Sequence, residues 1–234
     1  MGAGVIAAVL FDLDDTLYDQ QRWLAPAWSA VAAAATRCGV DGGALERALV
    51  AIAAEGSDRG RIIDRALARV GAPHDVPIAP LLAAFRSSVP RRLAPYRGVR
   101  EALRLVRAEV PIGLVSDGDV AIQRAKLRCL GLDDAFDVVV LSDELGRERR
   151  KPHPAPFRVA LAALRVPARH VVHVGDRPDK DVQGAVAVGM RAIRVRTGEY
   201  RAMPDDPVPW RSAGDVAEAV AIVLASGVRA RATG

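Results

Sequence analysis

FDLDDTLYDQ, residues 11 to 20, follows the apolar run VIAAVLF of residues 5 to 11 and sets Asp12, Asp14 and Asp15 within four positions. The run is short, continuous and rich in Val, Ile and Leu, which is the pattern of a central strand buried on both faces. The acids therefore stand at the carboxyl end of that strand. Like charges crowded on one loop are unfavourable unless a cation, solvent or hydrogen-bond donors compensate them. The stretch alone leaves two readings open, a solvated turn or a metal and catalytic site.

The 234 residues (24.8 kDa) suffice for one large core and a smaller second domain. Half of the residues are hydrophobic and 26% charged, which argues against wholesale disorder. The net charge of +5 comes with only 4% aromatics and with arginines scattered through helical patterns, so stacking platforms and a basic tract for nucleic acid are both missing. The densest basic run, GRERRK at residues 146 to 151, reads as a solvated loop. Cys38 and Cys129 lie far apart, each in a helical pattern, which encodes neither a disulfide framework nor a zinc site and implies a reducing cytoplasm. The first apolar run is too short to span a membrane and has no basic region before it. MGAGVI matches a myristoylation signal only at Gly2, with Ile6 where Ser or Thr is needed.

Residues 20 to 90 show no comparable strand, only Ala-rich helical segments divided by Gly, Pro and Asp. After PYRGV at residues 95 to 99, helix and strand alternate, with strands at IGLVS, DVVVLS, HVVHVG and RAIRVR and a last helix near AGDVAEAVAIVLA. Such alternation predicts an α/β fold, a mainly parallel sheet with helices on both faces. The domain expectation is a discontinuous core of residues 1–18 and 96–234 interrupted by a helical insertion of residues 19–95. Ile122, Ala125 and Cys129 form the expected buried stripe of the helix after IGLVS, and Gly131 ends it. The closing VRARATG reads as a loose basic tail.

Ligands of open parallel sheets bind outside the carboxyl ends of the strands. Four such ends carry polar groups: Asp12, Asp14 and Thr16; then Ser116, Asp117 and Gly118; then Lys151 in KPHP; then Asp176 and Asp181 in GDRPDKD. Singly each has a plain explanation, and Asp117, Asp119 and Asp179 read first as helix caps. Together they are what phosphoryl transfer needs, acids to hold a hard cation and donors to neutralise phosphate oxygens.

DLDDT at residues 12 to 16, Ser116 in LVSDG, Lys151 in KPHP and GDRPDKD at residues 175 to 181 resemble, in order and spacing, the four motifs of the haloacid dehalogenase-like (HAD) hydrolase superfamily. The insertion is similar to that superfamily's helical cap, of the first cap type. The resemblance implies a phosphatase of the subfamily with such a cap, on the superfamily's three-layer sandwich. It implies Asp12 as nucleophile and Asp14 as general acid and base. Mg²⁺ would be held by the carboxylates of Asp12 and Asp176 and the backbone carbonyl of Asp14, with Asp181 in support. Ser116 and Lys151 would grip the phosphoryl oxygens, beside Thr16, Asp117 and Gly118. Asp15 is expected to face away and aid the turn. Arg22 and Trp23, with Tyr18, Gln20, Gln123 and Arg124, are the candidates for contacts to the rest of the substrate. The four histidines read as structural or surface groups. Two departures stand out: Asp117 where Asn is frequent, and a longer, more basic approach to Lys151, which places that lysine in doubt if the loop moves.

The implied partner is a small-molecule phosphate ester, handled in the cytoplasm by a monomer or homodimer without nucleic acid or membrane. A dehalogenase is disfavoured because it needs neither Asp14 nor Mg²⁺. A phosphomutase of the β-phosphoglucomutase type shares both acids and the cap, but Thr16 leans to the phosphatases. A signalling receiver domain uses similar groups in the wrong order and without an insertion. A catalytically silent binding protein is the remaining rival, and the intact set of acids speaks against it. The cap is expected to hinge near Asp19 and Pro95.

Overall fold

Strand β1, Ala8–Phe11, is buried at every position, as its unbroken apolar run requires. The computed structural model describes residues 5–56 and 60–229. Gly2 and the tail from residue 230 lie outside the described residues. β1 pairs in parallel with β2, Ile112–Ser116, on one side and with β4, Val171–Gly175, on the other. With β3, Val138–Leu141, β5, Arg191–Val195, and β6, Arg211–Ala213, the sheet has the order β3-β2-β1-β4-β5-β6, parallel throughout. After β1 the chain fills one side of the sheet outward to β3, then returns to β4 and proceeds the other way. The switch point, where a crevice opens at the strand ends, lies between β1 and β4.

The chain divides into two compact units, Met1–Asp19 with Ala94–Gly234, and Gln20–Leu93. The second unit is helical: α1, Gln21–Thr36, packs on α2, Gly42–Ala53, and on α4, Ile78–Ser87, while α3, Ile62–Arg69, contacts α2 and α4. Trp28 and Phe85, with ring centroids 4.8 Å apart, join α1 to α4. Asp41 starts α2 by accepting the Ala44 N–H at 2.9 Å.

In the first unit α5, Val99–Glu109, packs against α9, Val216–Ala225, which lies on β4, β5 and β6. α7, Pro154–Leu164, contacts β2 and β3 and meets α8, Gln183–Ala187, whose own strand contact is β5. One core cluster runs through Leu10, Val115, Val140, Phe157, Val171 and Val182. α6, Val120–Leu130, is capped by Asp119, which accepts from Ala121 N and Ile122 N at 3.0 and 3.2 Å.

Two expectations need correction. β6 was not expected, because RSA has no apolar run and is made a strand only by pairing with β5. The buried face of α6 is Gln123, Ala125, Lys126, Leu127 and Leu130, with Ile122 and Cys129 half-buried. Polar residues win that face because partners for them wait in Asp14, after β1, and Ser116, at the end of β2. Among the described residues no helix is long and apolar enough to cross a membrane.

Candidate active site

The end of β1 is fixed by Asp12 N–H, which donates to Val174 O on β4 at 2.9 Å. Three residues on, the chain turns through Asp15 with φ of 57°, the left-handed region that suits glycine better. Asp15 is buried and turned to another segment: its carboxylate accepts from Glu199 N at 3.1 Å and its carbonyl from the Thr197 hydroxyl. That leaves Asp12 and Asp14 to the strand ends.

Asp12, Asp176 and Asp181 bring carboxylate oxygens within 4.8 Å of one another, and all three residues are buried. Lys151, only 4% exposed, enters this group: its ammonium pairs with Asp12 and with Asp181 Oδ1, the latter at 2.7 Å. Asp181 also faces His173 Nε2 at 3.0 Å and accepts from Arg177 N at 3.1 Å. Thr16 Oγ1 lies 3.4 Å from both Asp12 Oδ2 and Asp176 Oδ1.

Three buried carboxylates against one ammonium leave a deficit of two positive charges. Protons make up part of it. Burial, opposed by Lys151, pushes Asp12 up to about 7, and burial with the charges of Asp181 and Asp12 pushes Asp176 well above the usual carboxylate range. Burial works against ionised Asp181 too, but Lys151 and His173 outweigh it and hold that acid low. For Lys151 burial is likewise outweighed, by Asp12, Asp181 and Asp117, so it stays charged. A hard divalent cation matches both the missing charge and the oxygen-only donors.

This balance gives a pH prediction. Between about pH 4 and 7 folded metal-free protein holds protons on Asp12 and Asp176 that the unfolded chain has lost, so these groups cost stability as pH rises. His173, kept neutral mainly by burial, slopes the other way below its ordinary value. A bound cation displaces those carboxyl protons, so the rise in melting temperature on adding Mg²⁺ should grow from pH 5 to 7.5. Scanning calorimetry in chelator and in Mg²⁺ checks this, and a gain independent of pH would contradict it.

Asp181 reaches the cluster from a wide helical turn, Pro178–Val182, packed against Gly175. A Cβ on Gly175 would overlap the Asp181 carboxylate. Gly175→Ala should therefore cost about 1–3 kcal/mol and weaken divalent-cation binding, read by urea unfolding and by calorimetric titration.

Asp14 stands apart from the three acids. Its Oδ1 accepts from the Tyr18 hydroxyl at 2.6 Å, its Oδ2 from Gln123 Nε2 at 2.9 Å, and both accept from Lys126 Nζ, at 2.7 and 2.8 Å. Burial opposes ionisation there, but Lys126, Tyr18 and Gln123 together hold the carboxyl below its ordinary value. Gln123 Nε2 also lies 2.7 Å from both Ser116 Oγ and Asp117 O, its two hydrogens shared among three acceptors, so the second strand end is tied to the first. Lys126 was missed in the sequence. The available signal was its place one turn after Gln123, on a helix face that otherwise needs apolar residues.

The Lys151 loop is pinned. Arg150 makes a two-pronged pair with Asp143 at 2.6 and 2.7 Å, and Asp117 Oδ1 accepts from Ser142 Oγ at 2.7 Å and Lys151 N at 3.1 Å. The basic run expected as a solvated loop thus ends in a fixed anchor, while Arg147 and Arg149 remain exposed. Of the three acids expected to cap helices, only Asp119 does so. The Asp117 side chain, also a candidate for substrate contact, is committed to this loop because the loop supplies two donors, and Asp179 pairs with Arg177 at 2.5 Å. Gly118 keeps a φ of 124° and its backbone hydrogen-bonds Asp143. Arg124 leaves the site to pair with Glu144 at 3.1 Å. Arg22 and Trp23 belong to the other unit, on α1, Arg22 exposed and Trp23 buried.

The haloacid dehalogenase-like hydrolase family model matches residues 6–189. The chain is 36% identical over 215 residues to a glyceraldehyde 3-phosphate phosphatase of Methanopyrus kandleri, covering 88% of this chain and 91% of that protein. It is 30% identical over 228 residues to the protein of the same name from Methanocaldococcus jannaschii, covering 94% and 97%. The crystal structure of a HAD phosphatase from Thermococcus onnurineus shares the fold, with a TM-score of 0.69 at 23% identity, covering 95% of this chain and 99% of that one. A parallel sheet with its acids at the switch point and a family match that spans most of the sequence lead to one conclusion: the chain belongs to the haloacid dehalogenase-like hydrolases.

Proposed function

We propose that the protein hydrolyses small-molecule phosphate monoesters with Mg²⁺, through a phosphorylated Asp12. The observation that carries this reading is the buried group of Asp12, Asp176 and Asp181 with Lys151 inside it. Asp12 attacks phosphorus in line, forming a P–O bond to its carboxylate as the bond to the leaving oxygen breaks. Lys151 neutralises phosphoryl oxygens and the Ser116 hydroxyl donates to one of them. Asp14, after taking a proton from solvent, gives it to the departing alkoxide, then takes one from the water that attacks the phosphorus of phospho-Asp12, so phosphate leaves and Asp12 is restored. Asp12 and Asp176 would hold Mg²⁺ through carboxylates and Asp14 through its carbonyl, with Asp181 in support. The metal supplies charge neutralisation between nucleophile and phosphoryl group.

The helical unit Gln20–Leu93 is, in this reading, the family's cap, in which the exposed Arg22 remains the candidate for substrate selection while Trp23, buried in α1, belongs to the unit's own core. The setting is cytoplasmic, with free Cys38 and Cys129 suited to it, and the protein acts as a monomer or homodimer without nucleic acid or membrane. Glyceraldehyde 3-phosphate is the first ester to test, because relatives named for it match the chain over most of its length. The test is phosphate release over a panel holding that ester, phosphoserine, phosphoglycolate and pyrimidine nucleotides, with and without Mg²⁺. Metal-dependent release with the highest kcat/KM on a three-carbon ester is expected. Folded protein inert across the panel, or isomer formation in place of release, would overturn the reading.

A further inference from the structure

Lys126 sits on a helix that bears none of the four motifs, yet it is the side chain most closely engaged with Asp14. The Lys126 side chain is only 8% exposed and reaches both Asp14 oxygens, while Gln123 and Tyr18 take one each. Burying an ammonium is costly unless its partner is close and well hydrogen-bonded. A surface helix would ordinarily place an apolar residue there. A group retained against that cost, and aimed at one acid only one turn past a glutamine aimed at the same acid, has a task at that acid.

We propose that Lys126 and Gln123 are positioning residues that aim the Asp14 carboxyl at the leaving-group oxygen. This rests on the hydrolase reading, in which Asp14 serves the leaving group. A carboxylate offers about four lone-pair sites, and the four contacts from Lys126, Gln123 and Tyr18 fill them. Asp14 therefore has no acceptor site to spare in this arrangement, so one contact must open and the freed oxygen take a proton from solvent before it can pass one to the leaving group. Lys126 spans both oxygens, so it can release one and keep the other, which holds the carboxyl in place through the exchange. Gln123 links the movement to Ser116, whose hydroxyl it also contacts at 2.7 Å. Neither residue touches the reacting atoms in this account.

The consequence is a dependence on the leaving group. A nitrophenolate departs with little help from a proton, whereas the alkoxide of an alkyl phosphate needs one. kcat/KM reports the steps up to departure of that group, and positioned proton transfer contributes about 10²–10⁴-fold. Lys126→Met should lower kcat/KM for an alkyl ester such as glycerol phosphate by about 10²-fold, while that for 4-nitrophenyl phosphate changes by less than roughly 3-fold. Lys126→Arg, which keeps the charge and the reach to two oxygens, should recover most of the loss. Lys126→Gln serves as a milder neutral variant should the methionine protein melt early, and melting curves accompany each.

Equal losses on both esters would assign Lys126 a merely structural part and overturn the inference. So would an unchanged kcat/KM on both, or no recovery with arginine in a protein of wild-type melting temperature. Wild-type protein inert on both esters would instead remove the hydrolase reading, and this inference with it.

Discussion

Asp12→Asn should lower Mg²⁺-dependent phosphate release by roughly 10⁴-fold or more, because a carboxamide cannot form the covalent bond to phosphorus. The same substitution should leave the metal-free protein folded and, at neutral pH, more stable than the parent. Asp12 is ionised there at a cost, since burial pushes it up to about 7 and two other carboxylates crowd it. A neutral amide removes that cost while keeping size and shape. Loss of turnover together with a raised melting temperature in chelator separates the removal of a nucleophile from damage to the fold. An active Asp12→Asn protein would contradict the role given to this residue.

Lys151→Met should be the most damaging single change in the core unit. Removing one partner of a buried ion pair costs about 3–5 kcal/mol, because the charge left behind is uncompensated. Here three carboxylates would be left, with no ammonium among them. Much of that loss should return on adding Mg²⁺, which supplies positive charge at the same place, so urea unfolding with and without metal is the direct measurement. Activity should stay down by about 10²–10³-fold even in the stabilised protein, since a donor to the phosphoryl oxygens is gone. Lys151→Arg is not a conservative substitute: the planar guanidinium does not fit where one ammonium serves Asp12 and Asp181 together. Equal stability of parent and Lys151→Met in chelator would argue against the charge balance described for the site.

The parts of this molecule legible in the sequence are those written in local pattern. VIAAVLF reads as a doubly buried strand ending at Asp12, which its second half Ala8–Phe11 forms, and the alternation after residue 95 gives parallel connections and the strand ends where Ser116 and Asp176 stand. What stayed hidden depends on partners far along the chain. RSA at residues 211 to 213 has no strand pattern of its own and pairs because β5 offers an edge. Lys126 looks like one more exposed base on a helix until Asp14, 112 positions earlier, is brought to it. Asp117 resembles a helix cap because the residue type favours caps, yet Asp119 takes that place and Asp117 turns to the backbone of Lys151. His173 lies in an apolar strand run and pairs with Asp181 only through the wide turn after β4. In the last three cases a polar side chain was held by tertiary contacts against its local preference, and in the first a backbone edge made the strand.

The central claim is that the carboxylate of residue 12 becomes phosphorylated. An acyl phosphate is reduced by borohydride to the alcohol, which would convert Asp12 to homoserine. Protein quenched during turnover with Mg²⁺ and a hydrolysed ester, treated with borohydride, digested and read by mass spectrometry should carry that change at position 12 and at no other acid. An unmodified Asp12 in protein that is visibly turning over, or the change at Asp176 or Asp181 instead, would contradict the account.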